Sequence, residues 1–150
     1  MILVWGGREG RWVDWDLWNP YSIGANHQNG PNLIYEPLAY YSAFADKTYM
    51  WLAESYEFAS DFRRLTVKTR PGIAWSDGVP FSAEDVVYTL NTLRNLGPNV
   101  RWGVDVQQSV EKAVAPVASP ALIRSRRPGW RVAGRSDMFY ALPAALARNG

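Results

Sequence analysis

The sequence predicts a mixed α/β chain, and three observations lead to that prediction. The apolar run Met1–Trp5 ends at a pair of glycines and has the composition of a short buried strand. Residues 55–59 and 64–70 alternate apolar and polar side chains on either side of a Ser-Asp turn, which is typical of a β-hairpin. An amphipathic stretch that begins at Ser82 has the spacing of a helix. Short strands followed by a helix within 150 residues fit a domain of ordinary size.

The composition excludes several classes of protein. With 47% apolar and 20% charged residues, the chain is too apolar for a disordered segment. It has no cysteine, which excludes disulfides, thiolate catalysis and cysteine-ligated zinc. No uncharged apolar run reaches the length of a transmembrane helix. Eight tryptophans favour a protein that binds flat or apolar ligand faces, such as sugar rings or peptide side chains.

The positive charge is concentrated at the C-terminal end. Residues 1–116 have a net charge of −3 and residues 117–150 a net charge of +5, so the basic pI does not indicate nucleic-acid binding by the main body. The segment 117–150 has neither Lys nor Glu and shows no sustained periodicity outside an apolar patch at 138–142. We therefore expect a domain over 1–116 and an atypical basic tail over 117–150. The tail has the composition of a GC-rich gene translated out of frame, and the alternative is a genuine basic, loop-rich or disordered segment.

Helical signals are strongest after Ser82. Ser82 and Asp85 have the spacing of a capping box, and an apolar stripe of Val86, Leu90 and Leu93 follows. The dipeptide Gly97-Pro98 is expected to end this helix. A weaker helix is predicted over 104–113, a short one over 32–35, and a connector over 51–55.

One stretch resembles the signature of a known family. From Leu65 to Leu90 the sequence reads LTVKTRPGIAWSDGVPFSAEDVVYTL, which is similar to the signature of family 5 extracytoplasmic solute-binding proteins of ABC importers. The positions that match are Arg70, Gly72, Trp75, Asp77, Gly78, Pro80, Ala83, Asp85 and Val86. Two further landmarks, Tyr35–Leu38 and Leu52–Tyr56, lie upstream, and Asn19–Tyr21 resembles the loop after the first strand of the family. The resemblance covers residues 2–116.

The resemblance implies a fold and a function. The family folds into two α/β lobes with a hinge and an extra subdomain, and the lobes close on a ligand. This chain would contain the start of the first lobe and much of the extra subdomain, which is α+β, and would be incomplete at its C-terminus. The implied function is capture of an oligosaccharide or oligopeptide for ABC permease subunits, at a periplasmic or extracellular membrane-associated location. No enzymatic activity, cofactor, metal or nucleic acid is expected. Met1–Trp5 is too short for a signal peptide, so none is predicted in this chain.

Ligand contacts are predicted in the loop 12–29, because ligands of open α/β sheets bind beyond the carboxyl ends of the strands. This loop combines flat aromatic faces with amide and imidazole groups, and the predicted ligand-binding residues are Trp18, Tyr21, Asn26 and His27. The signature residues are expected to be structural, with Trp75 packed under a tight turn. Tyr40 and Tyr41 either line the cleft or stabilise the subdomain, and packing is the favoured role.

Two alternatives to a transport function stay open. The first is a stand-alone aromatic-rich carbohydrate-binding module. The second is a glycosidase-like enzyme that would use a carboxylate pair such as Asp14 and Asp16. His27 is the sole histidine and has no acidic cluster beside it, so neither a metal site nor a catalytic triad is predicted there. Within the transport function, the Trp-rich early loop favours oligosaccharide over oligopeptide.

Overall fold

The computed structural model describes residues 19–21, 35–42, 44–116 and 120–128. The elements within these ranges are, in order, β1 (Ala39–Ser42), β2 (Lys47–Met50), β3 (Ala53–Phe58), β4 (Arg64–Thr69), α1 (Ala83–Leu96), a 3-10 turn (Gly97–Asn99), α2 (Gly103–Ser109), β5 (Val110–Val114) and β6 (Ala121–Ser125). The predicted strand Met1–Trp5, residues 32–34 of the predicted short helix and the apolar patch at 138–142 lie outside the described residues.

The hairpin predicted from the alternating pattern is confirmed. Strands β3 and β4 pair antiparallel, with Phe58 opposite Leu65. Their loop is closed by the amide of Ala59, which donates to the carbonyl of Arg64 at 2.9 Å. Strand β3 begins at Ala53, which pairs with Thr69. The prediction of a connector over 51–55 is therefore wrong from Ala53 onward.

Strand β6 lies in the middle of the sheet. The four-stranded sheet has the order β3-β4-β6-β5, and each neighbouring pair is antiparallel. Ile123 of β6 lies opposite Leu65 on one side and Ala113 on the other, and its side chain is 2% exposed. The expectation that residues 117–150 lack strand structure is therefore wrong for Ala121–Ser125. The domain boundary at 116 and the reading frame of the tail stay predictions.

The second predicted helix is confirmed in its first part and wrong in its last. Helix α2 ends at Ser109, and the chain continues as strand β5 from Val110. Both Val110 and Ala113 are buried, and they pair with Ser125 and Ile123 of β6. Pairing with a distant strand overrides the weak local helical pattern here, because β-branched valine is well suited to a half-buried pleated surface.

Helix α1 forms as predicted and packs its apolar stripe on the sheet. Its N-cap is Ser82, and both hydrogen bonds of the capping box are present. Val86, Leu90 and Leu93 are 1–2% exposed, and burial of each such side chain stabilises the fold by about 1.5–3 kcal/mol. The helix ends at Gly97, whose φ of 50° is in the region that favours glycine.

The described residues form two layers beside a small hairpin. Helix α1 covers β4, β5 and β6 on one face, and most of the exposed side chains on the other face of the sheet are polar. Strands β1 and β2 form a separate two-stranded sheet. This small sheet is joined to β3 at Leu38, whose carbonyl accepts from the amides of Trp51 and Ala53, both at 3.0 Å. Among the described helices, none has the length and apolar character needed to cross a membrane.

Candidate functional site

Of the predicted ligand-binding residues, the described part of the chain contains Tyr21. Its side chain is 2% exposed and belongs to the hydrophobic core, and its carbonyl accepts from the amide of Arg101 at 2.8 Å. Its own amide donates to Oδ1 of Asn19 at 3.0 Å. Trp18, Asn26 and His27 lie outside the described residues, as do Asp14 and Asp16 of the glycosidase alternative. Contact of these residues with a ligand stays a prediction.

The signature turn is a structural element, as expected. The amide of Trp75 donates to the carbonyl of Val79 at 2.8 Å, and the amide of Gly78 donates back to the carbonyl of Trp75 at 2.9 Å. Gly78 has a φ of 84°, which an L side chain rarely adopts. The indole ring of Trp75 packs edge-on against Phe81, with 5.7 Å between ring centroids. This compact loop fixes the start of α1.

The Asp85 carboxylate connects the turn to the helix. It is 4% exposed, and its Oδ2 accepts from the amide of Ser82 at 2.8 Å and from Nε1 of Trp75 at 3.4 Å. A buried carboxylate needs donors of this kind, because an uncompensated charge in the interior is unfavourable. Capping and packing therefore explain the presence of Asp85 in the signature.

The β1–β2 region carries exposed aromatic side chains. Tyr40 lies directly opposite Tyr49 across the two strands, so both rings are on one face, and they are 49% and 44% exposed. Trp51 follows β2 and is 53% exposed. We call these three residues the aromatic hairpin surface. Their flat faces are available to pack on a ligand.

The signature holds this surface in place. Nε1 of Trp51 donates to Oε2 of Glu36 at 2.9 Å, which orients the indole ring. Arg70 donates two hydrogen bonds here. Its Nε donates to the carbonyl of Trp51 at 3.0 Å, and its amide donates to the carbonyl of Leu52 at 2.8 Å. Arg70 belongs to the family signature, so two of the predicted landmarks meet at this tryptophan.

Charged groups surround the tyrosines of the hairpin. Nζ of Lys47 lies 5.2 Å from the centre of the Tyr49 ring, a cation–π distance. The hydroxyl of Tyr41 donates to Oδ1 of Asp46, and this hydrogen bond to the neighbouring carboxylate raises the pKa of Tyr41 above its usual value of 10.0. Asp46 itself has a φ of 46° at the tip of the hairpin.

This arrangement suits ligands with flat or apolar groups. Aromatic rings stack on sugar rings and on peptide side chains, while the Glu36 carboxylate and the hydroxyls of the tyrosines provide polar contacts. No group of three or more His, Cys, Asp or Glu side chains with metal-binding geometry occurs in the ranges that the structure describes.

Sequence reasoning missed this surface. It favoured packing for Tyr40 over a place in the cleft, but the structure leaves half of that side chain exposed, and it did not single out Tyr49. The available signal was the alternation of Lys47, Tyr49 and Trp51 at a spacing of two residues, which places side chains on one face of an extended chain.

Comparison with a family model identifies the central part of the chain. Residues 47–118 match the model of bacterial extracellular solute-binding proteins, family 5, middle region. The matched segment contains β2 to β5 and therefore the signature turn, the capped helix and part of the aromatic hairpin surface.

Individual proteins agree with this match. The probable peptide-binding protein YejA of Agrobacterium fabrum is 28% identical over 86 residues, which is 57% of this chain and 14% of that protein. The nickel-binding periplasmic protein of Escherichia coli is 33% identical over 66 residues, which is 44% of this chain and 12% of that protein. The crystal structure of NikZ from Campylobacter jejuni in complex with Ni(L-His) has a TM-score of 0.74 and 23% identity, and covers 88% of this chain and 26% of that one. The chain thus spans a small part of these proteins, and the predicted partial lobe of a two-lobed binding protein is confirmed.

Proposed function

We propose that this chain, which over residues 47–118 belongs to the family 5 bacterial extracellular solute-binding proteins, is part of the solute-capturing component of an ABC importer. Similarity to a peptide-binding and a nickel-binding protein supports this function. The complete component would hold its solute between two lobes and present the closed form to permease subunits.

The solute that we propose is a short peptide, held in part by the aromatic hairpin surface. The observation that supports it most directly is the pair of exposed rings Tyr40 and Tyr49 on one face of the hairpin, together with the oriented indole of Trp51 directly after β2. Aromatic rings of this kind bury apolar peptide side chains, and each gives a large contact area at small conformational cost. The similarity to a protein described as peptide-binding extends over 57% of this chain.

Two other solutes have support of their own. A nickel chelate is favoured by similarity to the nickel-binding protein. Its identity of 33% is higher than the 28% of the peptide-binding protein, although it extends over 66 residues and not 86. An oligosaccharide is favoured by the tryptophan content of the chain, since indole rings stack on sugar rings.

Isothermal titration of the chain against short mixed-sequence peptides tests the proposal, with a nickel–histidine chelate and cello-oligosaccharides as comparison ligands. We expect heat of binding with the peptides and a shift of tryptophan emission to shorter wavelength, because Trp51 would lose contact with water. Tyr49→Ala should weaken peptide binding about tenfold, corresponding to about 1.4 kcal/mol of lost ring contact.

Tyr56→Ala is the matched control, because Tyr56 is a tyrosine of similar exposure (39%) on β3, outside the aromatic hairpin surface. It should leave the affinity unchanged. Flat titrations with all three ligand classes would contradict solute binding by the aromatic hairpin surface. Binding of the chelate or the oligosaccharide in place of peptides would reassign the solute and leave the transport function intact.

Location and chemistry follow from the same proposal. We propose a periplasmic or extracellular, membrane-associated location, because a permease in the membrane must receive the solute. The matched family consists of solute-binding proteins, so the chain is proposed to have no catalytic activity. Release of shorter sugars during the titration with oligosaccharide would detect the glycosidase-like alternative. The stand-alone carbohydrate-binding module instead predicts cooperative unfolding of the chain, with a denaturant slope appropriate to its size.

A further inference from the structure

One end of the four-stranded sheet carries a concentration of arginines. Strand β4 begins there and β6 ends there, because the two strands are antiparallel. The five exposed arginines at this end, which we call the arginine end, are Arg63, Arg64, Arg124, Arg126 and Arg127. Two backbone hydrogen bonds hold the segments that carry these arginines in place. The amide of Ser125 donates to the carbonyl of Arg63, and the amide of Arg126 donates to the carbonyl of Ser109, both at 2.8 Å.

Cations also face one another across the strands. Arg64 is directly opposite Arg124, and Arg124 is directly opposite Lys112 of β5, so three positive side chains form a row over three adjacent strands. Like charges in directly opposed positions destabilise a sheet. Oε2 of Glu111 lies 3.3 Å from Nε of Arg124 and offsets part of this charge. The stability of the sheet therefore does not explain the row.

An exposed aromatic ring lies beside these charges. Phe62 is at the tip of the β3–β4 hairpin, immediately before Arg63, and is 55% exposed. Its φ of 52° is in the left-handed region, where glycine or asparagine is the favoured residue of a hairpin loop. Its ring has one aromatic neighbour, Phe58, at 6.2 Å between centroids. A large apolar side chain that is both strained and exposed suggests a contact surface.

We propose that the arginine end and Phe62 dock this protein on the surface of an anionic phospholipid bilayer. Guanidinium groups match phosphate geometry with two parallel hydrogen bonds, which favours arginine over lysine at such a surface. Aromatic rings beside basic residues insert at the boundary between headgroups and acyl chains. This inference goes beyond capture of the solute and concerns where the component is held.

An acidic protein surface is the other partner that positive charge alone would fit. The exposed phenylalanine favours the bilayer, because a purely ionic partner would leave that ring in water. The charges and the ring also lie at one end of the sheet, where a flat membrane surface can reach them together.

Sedimentation of the 150-residue chain with phospholipid vesicles tests the proposal. We expect binding to vesicles that contain phosphatidylglycerol and little binding to vesicles of phosphatidylcholine alone. Raising the ionic strength from 0.1 M to 1 M should weaken binding, because the Debye length falls from about 10 Å to about 3 Å.

The informative variant replaces Arg63, Arg126 and Arg127 together by glutamine. These residues lie outside the strands, so no ladder pair changes. Each arginine near an anionic surface contributes about fivefold to binding, so the triple variant should lose roughly 100-fold. Lys68→Gln is the control, since Lys68 is an exposed cation at the other end of β4 from the arginine end. It should change binding by less than about twofold.

Phe62→Gly separates a docking role from a structural one. If Phe62 serves docking, this variant binds vesicles less tightly while its midpoint of urea unfolding rises, because glycine relieves the left-handed backbone. Equal binding to neutral vesicles, or an equal loss in the lysine control, would overturn the proposal. So would binding of polyglutamate in place of vesicles, which would assign an acidic protein partner, or release from vesicles by inorganic phosphate at matched ionic strength, which would assign a site for a single phosphate.

Discussion

Replacement of Asp85 should be among the costliest changes in the described fold. Its Oδ2 accepts from the amide of Ser82 at 2.8 Å, and its carboxylate is 4% exposed. A hydrogen bond to a charged group contributes about 1.5–3 kcal/mol, and removal of the acceptor also leaves Nε1 of Trp75 without its 3.4 Å contact. We therefore expect Asp85→Ala to reduce the free energy of unfolding by about 2–4 kcal/mol.

Three comparison variants divide this loss into its parts. Ser82→Ala removes the hydroxyl that accepts from the amide of Glu84 at 3.2 Å, and should cost about 1 kcal/mol. Asp85→Asn keeps the shape of the side chain and one acceptor, so it should cost less than Asp85→Ala. Glu84→Gln is the matched control for charge at the helix N-terminus, because Glu84 is exposed in the same turn, and should cost about 0.3–1 kcal/mol.

Urea unfolding of the chain followed by far-ultraviolet circular dichroism measures these differences. The slope of the transition must stay constant among the variants for the midpoints to be compared. A loss below about 1 kcal/mol for Asp85→Ala, or a loss no larger than that of Glu84→Gln, would refute the argument. The carboxylate would then act through the helix dipole alone, and the amide of Ser82 and Nε1 of Trp75 would be satisfied by water.

Two further predictions concern a glycine contact and a tyrosine. Gly103→Ala should cost about 3 kcal/mol or more in urea unfolding, because a Cβ there would lie 1.9 Å from the carbonyl oxygen of Gly97. Gly72→Ala, whose Cβ meets no atom within 4 Å, should cost about 1 kcal/mol from its φ of 77° alone, and equal losses would contradict the steric explanation. Asp46→Asn should lower the pKa of Tyr41 toward 10.0 in a spectrophotometric tyrosine titration, because the carboxylate that favours the neutral hydroxyl is gone; an unchanged titration would exclude that hydrogen bond.

Local signals in the sequence predicted the elements that local interactions stabilise. The capping box at Ser82 and Asp85 acts within one turn, so its residue types suffice to place the start of α1. The β3–β4 hairpin is likewise closed by a short loop, in which Oδ1 of Asp61 accepts from the amide of Arg63 at 2.9 Å. In both cases the partners are fewer than four residues apart.

Elements that depend on distant partners were harder to predict. Val110 becomes a strand residue because Ser125 lies opposite it in the folded chain, and no pattern within 104–113 contains that information. The candidate site has the same limit. Whether Tyr40 and Tyr49 are exposed depends on which face of the β1–β2 hairpin is covered by other residues. An alternation of two residues predicts which side chains share a face, but it does not predict whether that face is covered.

Strand β6 links the core to the arginine end. Its side chains alternate, with Ile123 2% exposed under α1 and Arg124 exposed on the opposite face. Because β6 is paired on both sides, its backbone is fixed, and the position of Arg124 between Arg64 and Lys112 is a consequence of burying Ile123. Any change that moves Ile123 out of the core shifts the register and turns every side chain of the strand to the other face. The register that buries Ile123 therefore also brings positions 64, 112 and 124 into one row, whereas the core does not require cations at those positions.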